Sequence, residues 1–430
     1  MQLIKYPNPA DFEFITKRPQ KKSDELYEVV NKVLDDVRKR GDDAVKEYEL
    51  KFDKTEVKNL QVTKQEIDAA ESLIPENLKN AISDAYKNIR TFHKAQVFKS
   101  LKVETAKGVV CWQKAVPVEK VGLYIPGGTA PLFSTVLMLA TPAKIAGCRE
   151  IILCTPPAKD GTVNPAILFA AKTAGVDRIF KVGGVQAIGA MAYGTETVPK
   201  VFKIFGPGNQ YVMTAKQVVS LYDVAIDMPA GPSEVAVVAD KNSNPEFVAA
   251  DLLSQAEHGY DSQVVLVVTD ESIIPLILTE LEQQLNCLPR KEMAKASLDN
   301  SKCILVENIE QAMRIINVYA PEHLILNVDD YVKAANMVVN AGSVFLGQYS
   351  CESAGDYASG TNHTLPTNGY STAYSGVSLD SFCKKITFQE LSKEGVKSIA
   401  KTVEIMANAE QLNAHENAMK LRRLSVTDTI

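Results

Sequence analysis

The stretch VGLYIPGGTAPLFSTVLMLATPAKIAGCREIILCT, residues 121–155, decides the fold. Residues 121–126 are a short apolar run that ends at proline and a pair of glycines. Residues 134–147 have the length of a buried helix closed by glycine, and residues 150–156 are a second apolar, β-rich run. Strand, glycine turn, helix and strand in that order form a βαβ unit, with parallel strands and a helix over one face. The alternation continues through AILFAAKTAG (166–175), RIFKVGG (178–184), QAIGAMAYG (186–194), VFKIFGPG (201–208) and NQYVMTAKQVVS (209–220). The sequence therefore predicts a parallel sheet with helices on both faces. Ligands of such sheets bind at the carboxyl ends of the strands, where the turns Gly127-Gly128, Gly183-Gly184 and Gly206-Pro207-Gly208 would lie.

A second series follows from FVAADLLSQAEHG (247–259) and QVVLVVTD (263–270) through IEQAMRIINVYA (309–320), LILNV (324–328) and SVFLG (343–347). The predicted class is α/β, with two Rossmann-like, incomplete, doubly wound domains. The expected boundaries are an N-terminal helical segment with lead-in strands (1–118), a first α/β domain (119–240), a second carrying the candidate metal and catalytic motifs (241–380), and a C-terminal helical tail (381–430). The helical pattern at 29–53 and 77–92, with Gly41 as a break, predicts a charged helical layer packed on something larger. The Gly/Ser/Thr/Asn-rich stretch 350–380 is too long for an incidental connection and is expected to be an ordered functional loop.

Composition narrows the functional classes. Of 430 residues, 46% are hydrophobic and 23% charged, and the net charge is −5. That is an ordinary globular balance, with no basic field to attract nucleic acid or an anionic membrane. Seven scattered cysteines without a CxxC pair predict reduced thiols and a cytoplasmic setting. The opening MQLIKYPNPADFEF contains no apolar signal core.

Four of the five histidines, His258, His323, His363 and His415, stand in polar motifs. Histidine supplies a metal-binding nitrogen and a proton carrier near neutral pH. Asn244 and Pro245 mark a helix start. On that helix Gln255 and His258 are three residues apart and share a face, with Asp251 a turn earlier. Two such donors could hold one ion, or could be a solvated polar face. Asp356 and His415 would strengthen the metal reading only by converging on the same point. In APEHL, Pro321 precedes the adjacent Glu322 and His323. A carboxylate and an imidazole reaching one pocket suit a reaction with two proton abstractions. An incidental turn is the plain alternative. IFGPGNQY approaches the dinucleotide fingerprint but has Tyr211 where the last glycine belongs, although a helix N-terminus at Asn209 could still receive phosphate. Cys111 and Cys154 lack the neighbouring cation or histidine of a reactive thiol and read as structural.

Taken together, VGLYIPGGTAPLFSTVLMLATPAKIAG, GPGNQYV, DMPAGPSE, DLLSQAEHG, APEHL and NAGSVFLGQYSCESAGDYASGTNHTLPT closely resemble the histidinol dehydrogenase family over nearly the whole chain. The resemblance implies a zinc-dependent homodimer of aldehyde-dehydrogenase-like architecture. It implies that L-histidinol is oxidised through L-histidinal to L-histidine by two NAD, ending histidine biosynthesis. It implies zinc ligands at Gln255, His258, Asp356 and, from the partner subunit, His415. Glu322 and His323 match the catalytic pair. Ser233, His363 and Glu410 match substrate positions, which the metal ligands and His323 share. Tyr124, Gln186 and Asn209 match NAD contacts. A related amino-alcohol dehydrogenase, a zinc hydrolase and a structural α/β binding protein are the other readings. NADH formation with histidinol separates them.

Overall fold

A computed structural model describes residues 1–18, 24–127, 130–229 and 231–427. Gly128 of the first expected glycine turn and the last three residues of the expected tail lie outside the described residues. Among the described residues the strands are β1 (Gln2–Lys5), β2 (Val103–Ala106), β3 (Val109–Pro117), β4 (Lys120–Tyr124), β5 (Glu150–Thr155), β6 (Arg178–Lys181), β7 (Lys203–Phe205), β8 (Ala225–Ile226), β9 (Glu234–Ala239), β10 (Gln263–Val268), β11 (Lys302–Leu305), β12 (His323–Asn327), β13 (Ser343–Leu346) and β14 (Cys383–Leu391). They form a parallel sheet ordered β6-β5-β4-β7-β8, a parallel sheet ordered β1-β11-β10-β9-β12-β13, and an antiparallel sheet ordered β14-β3-β2. Two doubly wound α/β units are therefore present, as the alternation predicts.

The strands form where β-branched runs can be buried on both faces. Every residue of EVAVVA in β9 and of QVVLVV in β10 is buried, the signature of central parallel strands. Helix ends follow local chemistry. The helix Pro165–Ala174 begins with Asn164 accepting the Ala166 N–H, and Pro245–Ala256 begins with Asn244 accepting the Glu246 N–H. The N-terminal helices cover the first sheet. Val30, Val33, Leu34 and Val37 of the helix Asp24–Arg40 share a core with Ile188 and Val219 on one face, and Ile82 and Ile89 of Glu76–Lys94 share the other with Met138 and Leu153. At the carboxyl end of β7, Gly206 adopts φ +127, and a Cβ there would lie 2.1 Å from the Tyr124 carbonyl oxygen. Glycine is needed at this close approach of two adjacent strand ends.

Three expectations need correction. Residues 2–5 are not part of the helical segment but form β1, which pairs with β11 at the edge of the second sheet. Strand β9 falls before the expected boundary at 240 yet is central to the second sheet, so the sheets part between Ile226 and Glu234. Residues 383–391, placed in a helical tail, form β14 and pair antiparallel with β3 along its whole length. The cause is tertiary: nine residues of β3 offer a free edge, and the helices begin only at Lys393, after the Ser392 N-cap. Among the described residues no helix is long and apolar enough to cross a membrane.

Candidate metal and proton-transfer centre

Residues from three segments of the second unit meet at the amino edge of its sheet. His323 is the first residue of β12 and stands opposite Val235 of β9. The chain enters β12 through Ala320, which has φ +51, and Pro321. This bend lets both Glu322 and His323 face one pocket, although adjacent residues of a regular strand point apart. Glu322 Oε2 lies 3.7 Å from His323 Nδ1 and accepts the Glu234 N–H at 3.0 Å. The helix Pro245–Ala256 supplies Gln255 from its last turn, and His258 follows just beyond it. The one-turn helix Glu352–Tyr357 supplies Glu352 and Asp356, four residues apart and so on one face.

His258, Glu352 and Asp356 each offer a ligand atom, and the three atoms lie within 4.8 Å of one another. His323 reaches into the same group: Nδ1 is 3.8 Å from Glu352 Oε1 and Nε2 is 3.6 Å from Asp356 Oδ1. These separations are too long for hydrogen bonds. Both His323 ring nitrogens and Asp356 Oδ1 are buried and have no hydrogen-bond partner. Orphaned imidazole and carboxylate atoms converging on one point suit a divalent cation of the zinc, manganese or cobalt type. Oriented to satisfy both ends of its amide, Gln255 donates through Nε2 to the Glu352 carboxylate and accepts the Glu234 N–H at 2.8 Å. Glu234 is itself clamped by Arg18, through Nε at 2.6 Å and Nη2 at 2.8 Å, so the floor of the site is fixed.

The electrostatics follow from crowding. Burial raises the Glu322 carboxyl to about 8, against a lowering by His323. Burial also raises Glu352. Burial would lower the His323 imidazole, but Glu352, Glu322 and Asp356 outweigh it and hold the ring at about 10. Asp356 resists the upward push of burial and is lowered by the imidazoles around it. His258 keeps part of its ring in solvent, and desolvation of the rest lowers it. The crowded carboxyls and the imidazole thus hold protons that a bound dication would displace, leaving the carboxylates ionised and the His323 ring neutral and able to accept a proton.

The profile of the family described as histidinol dehydrogenase matches residues 16–423. The chain belongs to the histidinol dehydrogenase family. It is 62% identical to the histidinol dehydrogenase of Bacteroides fragilis over 422 residues, covering 98% of this chain and 99% of that protein. It is 54% identical to the Salmonella typhimurium enzyme over 402 residues, covering 93% and 92%. The crystal structure of histidinol dehydrogenase from Elizabethkingia anophelis superimposes with a TM-score of 0.98 at 52% identity, covering 100% of this chain and 99% of that one.

Within this family member the remaining residues fall into three places. Ser233 directly precedes β9 at the same amino edge as His323. His363 joins the two units: its Nδ1 lies 3.1 Å from the Asp356 carbonyl oxygen and its Nε2 3.2 Å from Thr135 Oγ1, where Thr135 lies in the first turn of the helix Phe133–Ala146 that follows β4. The 350–380 stretch also reaches the start of the second sheet, where Thr367 Oγ1 accepts the Gly231 N–H. Tyr124, Gln186 and Asn209 stand at the carboxyl ends of the first sheet. Tyr124 ends β4 and its hydroxyl accepts the Gly184 N–H at 3.1 Å. Asn209 caps the helix Gln210–Ser220 through the Tyr211 and Val212 N–H groups. Gln186 is fully buried and donates to Glu49 Oε1 at 2.7 Å.

His415 and Glu410 are not brought to this group. Both are exposed, on the C-terminal helical hairpin Lys393–Ala409 and Asn413–Thr427, which packs beside β2 and β14. Buried acids escaped the sequence reading, Glu352 and Glu49 among them. Glu352 is four residues before Asp356 in CESAGDY, a helical spacing that could have revealed it. Glu49 lies on the π-helical turn Glu49–Asp53, and its Oε1 accepts N–H bonds from Gly183 and Gln186. Its partners are more than 130 residues away in sequence, so no local signal marks it. Cys154 is fully buried and its thiol is pushed up by burial, which leaves no thiolate to act as a nucleophile.

Proposed function

We propose that the protein oxidises L-histidinol to L-histidine with two NAD, through L-histidinal held in the site. The observation that carries this reading is the meeting of Glu322 and His323 with His258, Glu352 and Asp356 at one edge of a sheet. Gln255, His258 and Asp356, with His415 of the partner subunit, would hold zinc. Glu352 would orient Gln255 from behind. When bound, zinc supplies a fixed point for the substrate's imidazole and amino nitrogens and offsets the carboxylate charge.

His323 takes the proton of the substrate hydroxyl as hydride leaves the carbinol carbon for the first NAD. Glu322 draws a proton from water, which adds to the aldehyde carbon. His323, having passed its first proton to solvent, takes a proton from the resulting hydrate as the second hydride leaves. Two hydrides, one water and a carboxylate product balance this sequence. Each positioned base contributes on the order of 10²–10⁴ in rate. Ser233, His363 and Glu410 would bind the substrate, and Tyr124, Gln186 and Asn209 the NAD. His363 supports this division because it touches both the Asp356 turn and the helix after β4. The subunits would pair as a homodimer in the cytoplasm.

The test is NADH released per L-histidinol consumed, before and after chelation and zinc return. Two NADH, lost with chelator and regained with zinc, is the expected result. One NADH with free aldehyde would remove the roles given to Glu322 and water. No NADH with metal present would overturn the assignment.

A further inference from the structure

The candidate active site uses only the amino edge of the second sheet, and the opposite edge carries a feature of its own. From β9 the chain passes through β10 to β11 on one side of the sheet, while β12 leads to β13 on the other. The loops leaving β9 and β12 therefore diverge. Such a reversal leaves a crevice outside the carboxyl ends, which is where open parallel sheets bind ligands. A cavity of about 450 Å³ lies there, between the loops that follow β9, β12 and β13. It is not the metal centre. His323 and Asn327 are the first and last residues of β12, and four steps of strand separate them by about 13 Å.

The cavity is built before any ligand arrives. Asp240 Oδ2 accepts the Asp329 N–H at 2.7 Å and its Oδ1 accepts the Asn242 N–H at 2.9 Å. The Asp240 N–H donates to Ser243 Oγ, which donates to the Asn327 carbonyl oxygen. These bonds tie the two diverging loops together. Asn327 lines the cavity, is 2% exposed, and its Nδ2 has no hydrogen-bond partner. A buried amide donor without an acceptor is costly, and a ligand acceptor would relieve that cost.

We propose that this crevice is a second small-molecule site, for an organic cation that also carries a flat acceptor group such as an amide. The charge argument is direct. Asp240 and Asp329 line the cavity, and the described lining holds no lysine, arginine or histidine. The loop after β9 reads Asp240-Lys241-Asn242-Ser243-Asn244 and lacks the glycines that cradle phosphate, so a nucleotide is disfavoured. Tyr331 and Tyr349, both exposed, line the cavity, and aromatic rings are favourable neighbours of a cation. An ammonium group pairs with Asp329, whose Oδ2 already accepts from the Asn242 amide, and the acceptor takes the Asn327 Nδ2–H once that amide, shielded without a ligand, turns to the cavity.

The probe is 4-(aminomethyl)benzamide, which has the ammonium, the ring and the amide oxygen and is a poor zinc chelator. Its anionic counterpart is 4-carbamoylbenzoate. Calorimetric titration of the zinc-loaded protein should show one saturable equivalent of the amine per chain and none of the benzoate. Asp329→Asn should weaken the amine about tenfold, the scale of one charge-assisted contact, and Tyr349→Ala should weaken it less. Both positions are exposed, and unchanged melting and unchanged NADH formation show that each variant is native. Absence of amine binding, equal binding of the benzoate, or an affinity untouched by Asp329→Asn overturns the proposal. These outcomes do not depend on whether histidinol is the substrate.

Discussion

At the scale of single residues, Glu352 shows how a site is held from behind. Its carboxylate takes the Gln255 amide N–H and lies 3.8 Å from the His323 ring. Replacing it by glutamine keeps the volume but removes the charge and puts an amide donor in place of one of the two oxygens that accept from the Gln255 amide. Supporting partners of this kind are worth roughly 10–100-fold in metal affinity. Glu352→Gln is expected to lose zinc about that much more readily, read as metal content after dialysis against a graded chelator. Unchanged retention would show that Glu352 does not position the ligand set. Glu49 supports a different prediction. Burial first, then the neighbouring Asp53, raises its carboxyl to about 7, against an ordinary value of 4.5. The folded state therefore holds a proton that the unfolded chain has released between those values. Stability from this group is full below about 4.5 and is lost as pH rises through about 7. Glu49→Gln should flatten the decline of melting temperature across that window, and an identical slope in the variant would contradict it. Gln255, His258, Glu322, His323 and Asp356 were legible because their motifs are contiguous. Glu49 was not, because folding alone joins it to Gly183 and Gln186.

At the scale of elements, strands buried on both faces were the readable ones. QVVLVV and EVAVVA announce themselves by composition. Strands β1 and β14 did not, because QLIK and CKKITFQEL are largely exposed and owe their form to a neighbour's edge. The helix Pro245–Ala256 was read from its Asn-Pro start, and that start is functionally placed: the other end of the helix carries Gln255. Asn244 Oδ1 accepts the Glu246 N–H at 2.9 Å. Asn244→Ala should destabilise the protein by about 1 kcal/mol, while Asn244→Asp should cost little, since aspartate caps equally well. Because the cap lies about 16 Å from the ligand end, eleven residues of helix away, zinc retention should stay unchanged. A loss of zinc in Asn244→Ala at temperatures where the protein is folded would mean that the helix transmits strain along its length.

At the scale of the whole molecule, the proposed ligand set is not gathered by one chain. His258, Glu352 and Asp356 converge, whereas His415 is exposed on a hairpin that packs beside β2 and β14. That hairpin also exposes Ile405, Met406, Leu412 and Leu421, and β14 exposes Ile386 and Phe388. Exposed large apolar side chains of this kind are what the proposed homodimer would cover. If the hairpin reaches a partner's metal centre, the two halves of each site lie on different chains. Mixing His258→Ala with His415→Ala subunits then produces hybrid dimers in which one site has lost both residues and the other has neither substitution. Each parent alone should be nearly inactive. After dissociation and reassociation in equal amounts, half of the dimers are hybrids and each carries one intact site, so activity should return to about a quarter of wild type on symmetric pairing. The same preparation should retain about one tightly held zinc per hybrid dimer, a readout that does not depend on turnover. Sites assembled within one chain predict no recovery in either measurement, because every subunit in the mixture would then lack a ligand of its own. The apolar side chains give an independent lever. Leu412→Glu on the hairpin should lower activity and raise the concentration needed for pairing together, since both effects follow from withdrawing His415. Loss of pairing with full activity would place His415 outside the metal centre and leave its ligands within one chain.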